Sequence, residues 1–493
     1  MSGDDLPRRF PAGFLWGAAT SAYQIEGGAT AEGRGPSIWD TFSARPGVIR
    51  DGSNGAVAAN HFDRSRDDVQ LMADLGLQMY RFSVAWPRIQ PKGRGPVNQK
   101  GLDFYRRLVD ELLERGIQPN LTLYHWDLPQ ALQDAGGWAA RETAYRFADY
   151  ADIVYRQLHD RVGWWSTINE PWCVAFLGHA AGVHAPGIQD PRQAVRAIHH
   201  LLLAHGLAVS RMRGIDPQPR HGIVLNLAPV RTSVICPVTS LVKGVRLTDG
   251  YRNRVWLEPL LQGRYPDEMV DLMARFGGLP VKAGDLKVIG TPIDWMGINY
   301  YHDIVLEEEA LDGDGAANVH PGVTRVRETA PTGDRTDMSW PITPDGLRSL
   351  LVSLVRQYPN IPPMMITENG AAFADSMDPA GTVDDERRIR YVDAHLEALA
   401  NAITEGVDVR GYLVWSLLDN FEWAEGYDQR FGIVHVDFET HVRTPKRSAL
   451  WYRDNIERNG SSPSDPLVPS ERIESGLMDP RSPTRRRVVG TRS

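Results

Sequence analysis

Two short stretches, Thr167-Ile168-Asn169-Glu170-Pro171 and Ile366-Thr367-Glu368-Asn369-Gly370, decide the fold of this chain. In each stretch a glutamate closes a short run rich in β-branched residues, and residues that break regular structure follow it directly. This pattern predicts a carboxylate at the carboxyl end of a buried strand, directed into a cavity. Two carboxylates in the same local setting are what cleavage of a glycosidic bond requires, one as acid/base and one as nucleophile.

Outward from these stretches, short apolar runs alternate with longer amphipathic segments, which predicts parallel strands joined by helices. The predicted strands are Phe14–Ala18, Met79–Val84, Gln118–Tyr124, Trp164–Asn169, Gly222–Leu227, Trp295–Tyr300, Met364–Thr367 and Gly411–Ser416. Eight is the number that closes a (β/α)8 TIM barrel, and a chain of 493 residues is within the range of one elaborated barrel. We therefore predict the α/β class, with a single catalytic domain and elaborated loops.

Polar and aromatic side chains follow or end most of the predicted strands. They are Arg81, Ser83, His125, Asn169, Glu170, Asn226, Asn299, Tyr301, Glu368 and Trp415. In a (β/α)8 barrel the carboxyl ends of all strands meet at one mouth, where the active sites of this fold lie. The sequence thus predicts that these residues form one site.

The composition favours a globular enzyme and excludes several other classes. The net charge of -8 argues against a nucleic-acid-binding face, which would need a basic surplus. No run of about 18 apolar residues predicts a membrane span, and residues 1–9 lead into Phe10 without the apolar segment of a secretory signal. Cytoplasmic residence is therefore expected. The two cysteines, Cys173 and Cys236, are expected to be buried thiols, because two cysteines cannot form a disulfide framework.

Two segments depart from the alternating pattern. Residues 303–345 are rich in Gly, Pro, Asp and Glu, which predicts a long loop after the sixth strand, with Trp340 as a candidate substrate contact. Residues 457–493 shift to Ser, Pro, Arg and Gly and lack apolar residues to bury, so we expect a disordered tail. The predicted glycosidase domain is therefore 1–456.

Several landmarks make the region from Phe10 to Asn455 resemble the β-glucosidases of glycoside hydrolase family 1. Besides the two glutamate stretches, these landmarks are Phe14–Gly27 (FLWGAATSAYQIEG), Tyr80–Ser83 (YRFS), Leu123–Pro129 (LYHWDLP), Gly297–Tyr301 (GINYY) and Trp415–Trp423 (WSLLDNFEW). One five-residue match is weak evidence, whereas this many landmarks in the right order are specific.

The resemblance implies a retaining mechanism, with Glu170 as acid/base and Glu368 as nucleophile. It gives supporting roles to Arg81, Asn299 and Tyr301. The implied substrate-binding residues are Gln24, His125, Trp126, Asn169, Tyr301, Trp415, Glu422 and Trp423. Candidate contacts for the leaving group are Trp172, Asn226, Trp340 and Phe431. No cofactor and no metal are implied.

Three alternatives are weighed against a β-glucosidase acting on aryl β-glucosides or cello-oligosaccharides. A 6-phospho-β-glucosidase is disfavoured because Glu422 and Glu425 would repel a phosphate. A non-catalytic sugar-binding barrel would lack one of the two glutamates, and both are present. A metal-dependent isomerase would need a convergent set of His, Asp and Glu ligands, which the sequence does not suggest. The sequence leaves open whether the protein forms a homo-oligomer.

Overall fold

A computed structural model describes residues 10–234, 238–309, 319–329 and 333–458 as a closed barrel of parallel strands with surrounding helices. The barrel strands are β1 (Leu15–Ala19), β2 (Met79–Ser83), β3 (Gln118–Tyr124), β4 (Trp164–Asn169), β5 (Arg220–Asn226), β6 (Trp295–Asn299), β7 (Met364–Asn369) and β8 (Val409–Trp415). Each strand pairs with its neighbours in sequence, and β1 pairs with both β2 and β8, which closes the sheet. The predicted (β/α)8 TIM barrel is confirmed.

The predicted strands differ from the observed ones only at their ends. β5 begins at Arg220 and β8 at Val409, two residues before the predictions, and β7 continues past Glu368 to Asn369. The chain turns away at Gly370 because it passes close to the end of β8. A Cβ on this glycine would lie 1.7 Å from the carbonyl oxygen of Trp415. The glycine in the second deciding stretch is thus required by the packing of two strand ends.

The α-helices cover the outside of the barrel. They span Ala22–Ile25, Ile38–Ser43, His61–Asp74, Trp86–Ile89, Gln99–Glu114, Gln130–Asp134, Glu142–Leu158, Pro191–Ile215, Thr239–Asp249, Val255–Gln262, Asp267–Ala274, Asp285–Ile289, Pro344–Gln357, Glu386–Thr404 and Arg447–Glu457. The helix Gln99–Glu114 buries apolar residues spaced three and four apart, among them Leu108 and Leu112. Such stripes bury one face of a helix against the barrel. Within the described ranges, no helix is both long and apolar enough to cross a bilayer.

The prediction of one long loop over residues 303–345 is wrong in part. Strands Ile304–Glu308 and Val326–Thr329 lie in this segment and form a three-stranded sheet with Val230–Thr232. Backbone pairing, which the Gly- and Asp-rich composition does not reveal, orders these short strands. A second small sheet pairs Val434–Val436 with Arg443–Pro445.

Two sequence predictions fall partly or wholly on residues outside the described ranges. Cys236 lies there, and so do residues 459–493 of the proposed disordered tail. The proposed domain boundary at residue 456 falls near the end of the last described helix, Arg447–Glu457. The division into a domain and a tail stays a prediction.

Candidate active site

A cavity of about 630 Å³ opens where the strands of the barrel end. Twelve of the predicted site residues line it: His125, Trp126, Glu170, Trp172, Asn226, Tyr301, Trp340, Glu368, Trp415, Glu422, Trp423 and Phe431. The other four, Gln24, Arg81, Asn169 and Asn299, are buried, and each donates or accepts a hydrogen bond with a lining side chain. The barrel therefore brings these sixteen residues together. Ser83, also expected at the mouth, does not line the cavity, and its hydroxyl accepts from the Ala22 backbone N–H at 2.7 Å.

Glu368 lies near the end of β7 and is held by two donors. The Arg81 Nη1 atom donates to Glu368 Oε1 at 2.6 Å, and the Tyr301 hydroxyl donates to Glu368 Oε2 at 2.8 Å. Burial, reinforced by the charge of Glu368, raises the pKa of Tyr301 well above its usual range, so the phenol remains a donor. Both carboxylate oxygens are thus fixed, and the charged form of Glu368 is stabilised.

Glu170 follows β4 directly and has different partners. Its backbone is in the left-handed region (φ 46°), an uncommon conformation for a non-glycine residue that is found at functional sites. The Asn299 Nδ2 atom donates to Glu170 Oε1 at 2.6 Å, and the Cys173 thiol donates to Oε2 at 3.0 Å. Burial raises the pKa of the Cys173 thiol, so the sulfur keeps its proton. Among the described residues, Glu170 therefore receives side-chain hydrogen bonds from neutral donors alone, in contrast to Glu368.

A chain of hydrogen bonds joins the two carboxyl groups through Asn169. Its Oδ1 atom accepts from Arg81 Nη2 at 2.7 Å and from Asn299 Nδ2 at 3.1 Å. Arg81 also binds Glu368, and Asn299 also binds Glu170. The residue next to one glutamate in sequence thus orients the partners of both.

The pKa of Glu368 reflects its burial and its partners. Burial raises this pKa to about 7, with Arg81 acting in the opposite direction and Glu170 adding to the increase. The hydrogen bond from the Tyr301 hydroxyl also favours the charged form. A guanidinium and a phenol that donate to the carboxylate suit a nucleophile, which must be ionised to attack.

One side of the cavity, the sugar side, consists of Gln24, His125, Trp126, Trp415, Glu422 and Trp423. The Trp126 and Trp423 rings are 4.5 Å apart, and His125 lies parallel to Trp415 at 5.9 Å. Gln24 Nε2 donates to Glu422 Oε2 at 3.2 Å. Burial, reinforced by the charges of Glu368 and Glu170, raises the pKa of Glu422 well above its usual range. Flat rings beside amide and carboxyl groups match the apolar faces and hydroxyl edges of a sugar.

The four candidate leaving-group contacts divide into two groups. Trp340 and Phe431 pack around Tyr301, with ring centroids 5.3 Å and 6.2 Å from it. Trp172 lies elsewhere along the cavity, and the guanidinium carbon of Arg252 lies over its ring, 4.2 Å from the ring centroid. Asn226 lies beside the same guanidinium. The structure thus separates contacts near the nucleophile from contacts near the acid/base.

Sequence reasoning missed two residues of the site, Cys173 and Arg252. Cys173 is three positions after Glu170, a spacing that brings side chains together in a helical turn, and this signal could have found it. Arg252 lies in the short π-helical segment Gly250–Arg254, which nothing in the local sequence connects to the barrel mouth. Within the described ranges, no group of three or more His, Cys, Asp or Glu residues is arranged to hold a metal ion.

Comparison with known proteins identifies the class of this protein. The family described as glycosyl hydrolase family 1 matches residues 6–461. Thermostable β-glucosidase B of Thermobispora bispora is 52% identical over 453 residues, which cover 92% of this chain and 91% of that protein. β-Glucosidase A of Thermotoga maritima is 45% identical, and the match covers 92% of this chain and 99% of that protein. The chain belongs to glycosyl hydrolase family 1 and is a glycoside hydrolase.

Solved structures agree with this assignment. A β-glucosidase from Thermotoga maritima in complex with deoxynojirimycin is similar with a TM-score of 0.86 and 44% identity, over 92% of this chain and 99% of that chain. A psychrophilic β-glucosidase from Micrococcus antarcticus is similar with a TM-score of 0.87 and 48% identity, over 92% of this chain and 98% of that one.

Proposed function

We propose that this protein is a retaining β-glucosidase that hydrolyses terminal, non-reducing β-D-glucosyl residues of short oligosaccharides or aryl β-glucosides. One observation carries the proposal. Two buried carboxyl groups line one cavity, and one of them is held by a cation while the other receives only neutral donors. A nucleophile needs the first environment, and a general acid needs the second.

In the first step, the Glu368 carboxylate attacks the anomeric carbon while Glu170 gives its proton to the departing oxygen. The Asn299 amide occupies Glu170 Oε1, so the proton available to the substrate is on Oε2, beside Cys173. The Tyr301 hydroxyl and Arg81 keep the attacking carboxylate oriented. The products of this step are a glucosyl ester of Glu368 and the free leaving group.

In the second step, Glu170 takes a proton from water, and the resulting hydroxide attacks the same carbon from the face that the leaving group has left. Esterification has removed the charge of Glu368 before this step. Until the proton from water arrives, the Cys173 thiol and the Asn299 amide donate to the Glu170 carboxylate and stabilise it. Two inversions at one carbon retain the β configuration.

The sugar side is proposed to hold the glucosyl ring. Trp415 supplies a stacking surface, and Glu422 with Gln24 binds the outer hydroxyl groups. The His125 Nδ1 atom is buried and has no hydrogen-bond partner among the described residues, which suits it to a sugar hydroxyl. Asn169 is proposed to bind the 2-hydroxyl, where hydrogen bonds strengthen in the transition state.

Turnover of a chromogenic aryl β-glucoside, with and without a chelator, tests the proposed function. We expect hydrolysis that the chelator does not affect. Activity that the chelator abolishes would favour metal-dependent chemistry, and a folded protein without turnover would favour a sugar-binding barrel. Hydrolysis of a 6-phosphoglucoside alone would favour the phosphoglucosidase alternative, which is disfavoured because Glu422 and Glu425 both line the cavity.

Cello-oligosaccharides are the proposed natural substrates, with a role in cellulose degradation, and the cytoplasm is the proposed location. The buried free thiol of Cys173 suits a reducing compartment. Release of glucose from cellobiose and fractionation of the producing cells test these two points. Light scattering, which measures the mass of the protein in solution, tests whether it forms a homo-oligomer.

A further inference from the structure

A distinct part of the cavity wall, here called the acid-side chamber, consists of Trp172, Arg252, Ile304, Leu306, Val319 and Val326. Strands Ile304–Glu308 and Val326–Thr329 supply most of its apolar side chains. Its aromatic wall is Trp172, whose Nε1 atom donates to His320 Nε2 at 3.0 Å. The chamber is therefore suited to a flat apolar group.

Arg252 gives this apolar chamber a positive charge. Its guanidinium stacks over the Trp172 ring at 4.2 Å. In the amide orientation that satisfies both groups, Asn226 Oδ1 accepts from Arg252 Nη1 at 3.2 Å and from Nη2 at 3.3 Å. The buried Arg252 Nε atom has no hydrogen-bond partner among the described residues. An amide oxygen satisfies part of the guanidinium but does not neutralise it.

Two histidines and a second arginine that also line the cavity do not carry such an unneutralised charge. Arg327 also lines the cavity but forms an ion pair with Glu307. Burial lowers the pKa of His302 to about 4 and that of His320 to about 3, so both imidazoles are neutral near pH 7. In the described part of the chain, Arg252 is thus a lining cation without a direct ion pair, although the carboxylates of Glu170 and Glu328 act on it at longer range.

Electrostatic neighbours locate Arg252 on the side of the acid/base. The charge of Glu170 acts on Arg252, and so does that of Glu328, which also lines the cavity. Glu422 on the sugar side is instead influenced by Glu368 and Glu170. Glu170 is also two positions before Trp172 of the chamber, and it therefore lies between the two parts. A general acid contacts the oxygen that joins sugar and leaving group.

We propose that the acid-side chamber accepts an aromatic leaving group that carries a carboxylate, and that the Arg252 guanidinium binds this carboxylate. The inference rests on the proposed function and names its substrate class: β-glucosides of hydroxyaryl carboxylic acids. The ring packs against Trp172 and the valine and isoleucine side chains, while the carboxylate uses guanidinium donors that Asn226 leaves free. Guanidinium and carboxylate groups match in shape as well as charge.

The test compares two glucosides of the same shape, 4-carboxyphenyl β-D-glucoside and 4-carbamoylphenyl β-D-glucoside. The measured quantity is the ratio of their kcat/KM values, since a general loss of activity cancels in it. Arg252→Met keeps an unbranched side chain over Trp172 but removes the charge, and it is expected to lower the ratio about tenfold. Arg327→Met removes a lining arginine that is paired with Glu307, and it is expected to change the ratio less than about twofold.

A ratio that is unchanged in Arg252→Met, or that falls equally in both variants, would overturn the inference. Should Arg252→Met fail to fold, competitive inhibition of the wild-type protein decides the question. We expect 4-hydroxybenzoate to inhibit hydrolysis of a neutral aryl β-glucoside more strongly than 4-hydroxybenzamide, and equal or weaker inhibition would contradict the proposal. If the wild-type protein hydrolyses no β-glucoside at all, the proposed function fails rather than this inference alone.

Discussion

The sugar side and the acid-side chamber of the cavity are built in different ways. On the sugar side, Trp415 ends β8, while Glu422 and Trp423 follow that strand closely, and Gln24 binds both Glu422 and Asn420. The acid-side chamber depends on a small sheet outside the barrel and on Arg252, whose hydrogen-bond partner is the Asn226 amide oxygen. The closed sheet fixes the first part, and inserted segments form the second. Recognition of the sugar should therefore be a property of the family, and recognition of the leaving group a property of this chain.

The largest effect is expected from the loss of Glu368, because the nucleophile is needed for every glucoside, whatever its leaving group. Glu368→Ala should lower turnover on the order of 10⁵–10⁶, the scale seen when a hydrolase loses its nucleophile. Azide should restore part of the activity and give an α-glucosyl azide, because the added anion attacks from the face that Glu368 occupied. Steady-state kinetics and product analysis measure both effects. A fully active variant would refute the assignment.

Glu170 lies where the two parts meet, so its loss should depend on the leaving group. Glu170→Gln should slow glucosides with poor leaving groups roughly 10²–10⁴-fold, as general-acid loss does, and activated nitrophenyl glucosides far less. Equal slowing of both classes would count against Glu170 as the acid.

The pH dependence tests the nucleophile. Burial raises the pKa of Glu368 to about 7, and Glu170 adds to the increase. Glu368 must be ionised to attack, so wild-type kcat/KM should fall as the pH drops below about 7. In Glu170→Gln, assayed with an activated glucoside, this acidic fall should move to lower pH because a carboxylate that raises the pKa of Glu368 is gone, whereas the control Glu425→Gln should leave it in place. An acidic fall that does not move in Glu170→Gln would contradict the coupling of the two glutamates.

A change on the sugar side should act in the same way on every glucoside. Glu422→Ala removes the hydrogen bonds proposed for the outer hydroxyl groups, and it should lower kcat/KM about 10- to 100-fold whatever the leaving group. Glu425→Ala, in the same wall, is the matched control and should lose little. If the loss of kcat/KM in Glu422→Ala varied with the leaving group, it would contradict the division of the cavity into two parts.

The smallest effect is expected from Cys173. Cys173→Ala removes a weak thiol donor from Glu170 Oε2, and it should slow turnover roughly 2- to 10-fold, mainly with poor leaving groups. Cys173→Ser restores a donor and should recover most of the loss. A loss that serine does not recover would point to packing instead of the hydrogen bond.

The sequence predicted the barrel because strand ends carry their own signals, and the resemblance to glycoside hydrolase family 1 supplied most of the sugar side. The runs that end at Asn169 and Asn369 are short and β-branched. In a closed barrel the carboxyl ends of the strands meet at one mouth, so side chains at these positions lie there. The bounds of β5 and β8 were off by two residues, since pairing with neighbours extends a strand beyond its apolar run.

The acid-side chamber was predicted only in part, for physical reasons. Asn226 was found because it ends a barrel strand, and Trp172 through the family resemblance alone. Arg252 was missed because an arginine in a helical segment is normally solvated, and only the tertiary structure brings it against Trp172. The small sheet was missed because its strands are short and lie in a segment rich in Gly, Asp and Glu.

The most direct test of the paired glutamates is the configuration of the glucose that is released first. Proton magnetic resonance can follow hydrolysis of an aryl β-glucoside before the free sugar equilibrates. Attack by Glu368 followed by attack of water activated by Glu170 predicts that the β-anomer appears first and the α-anomer later, by mutarotation. Initial release of the α-anomer would mean a single displacement by water and would contradict a nucleophilic role for Glu368.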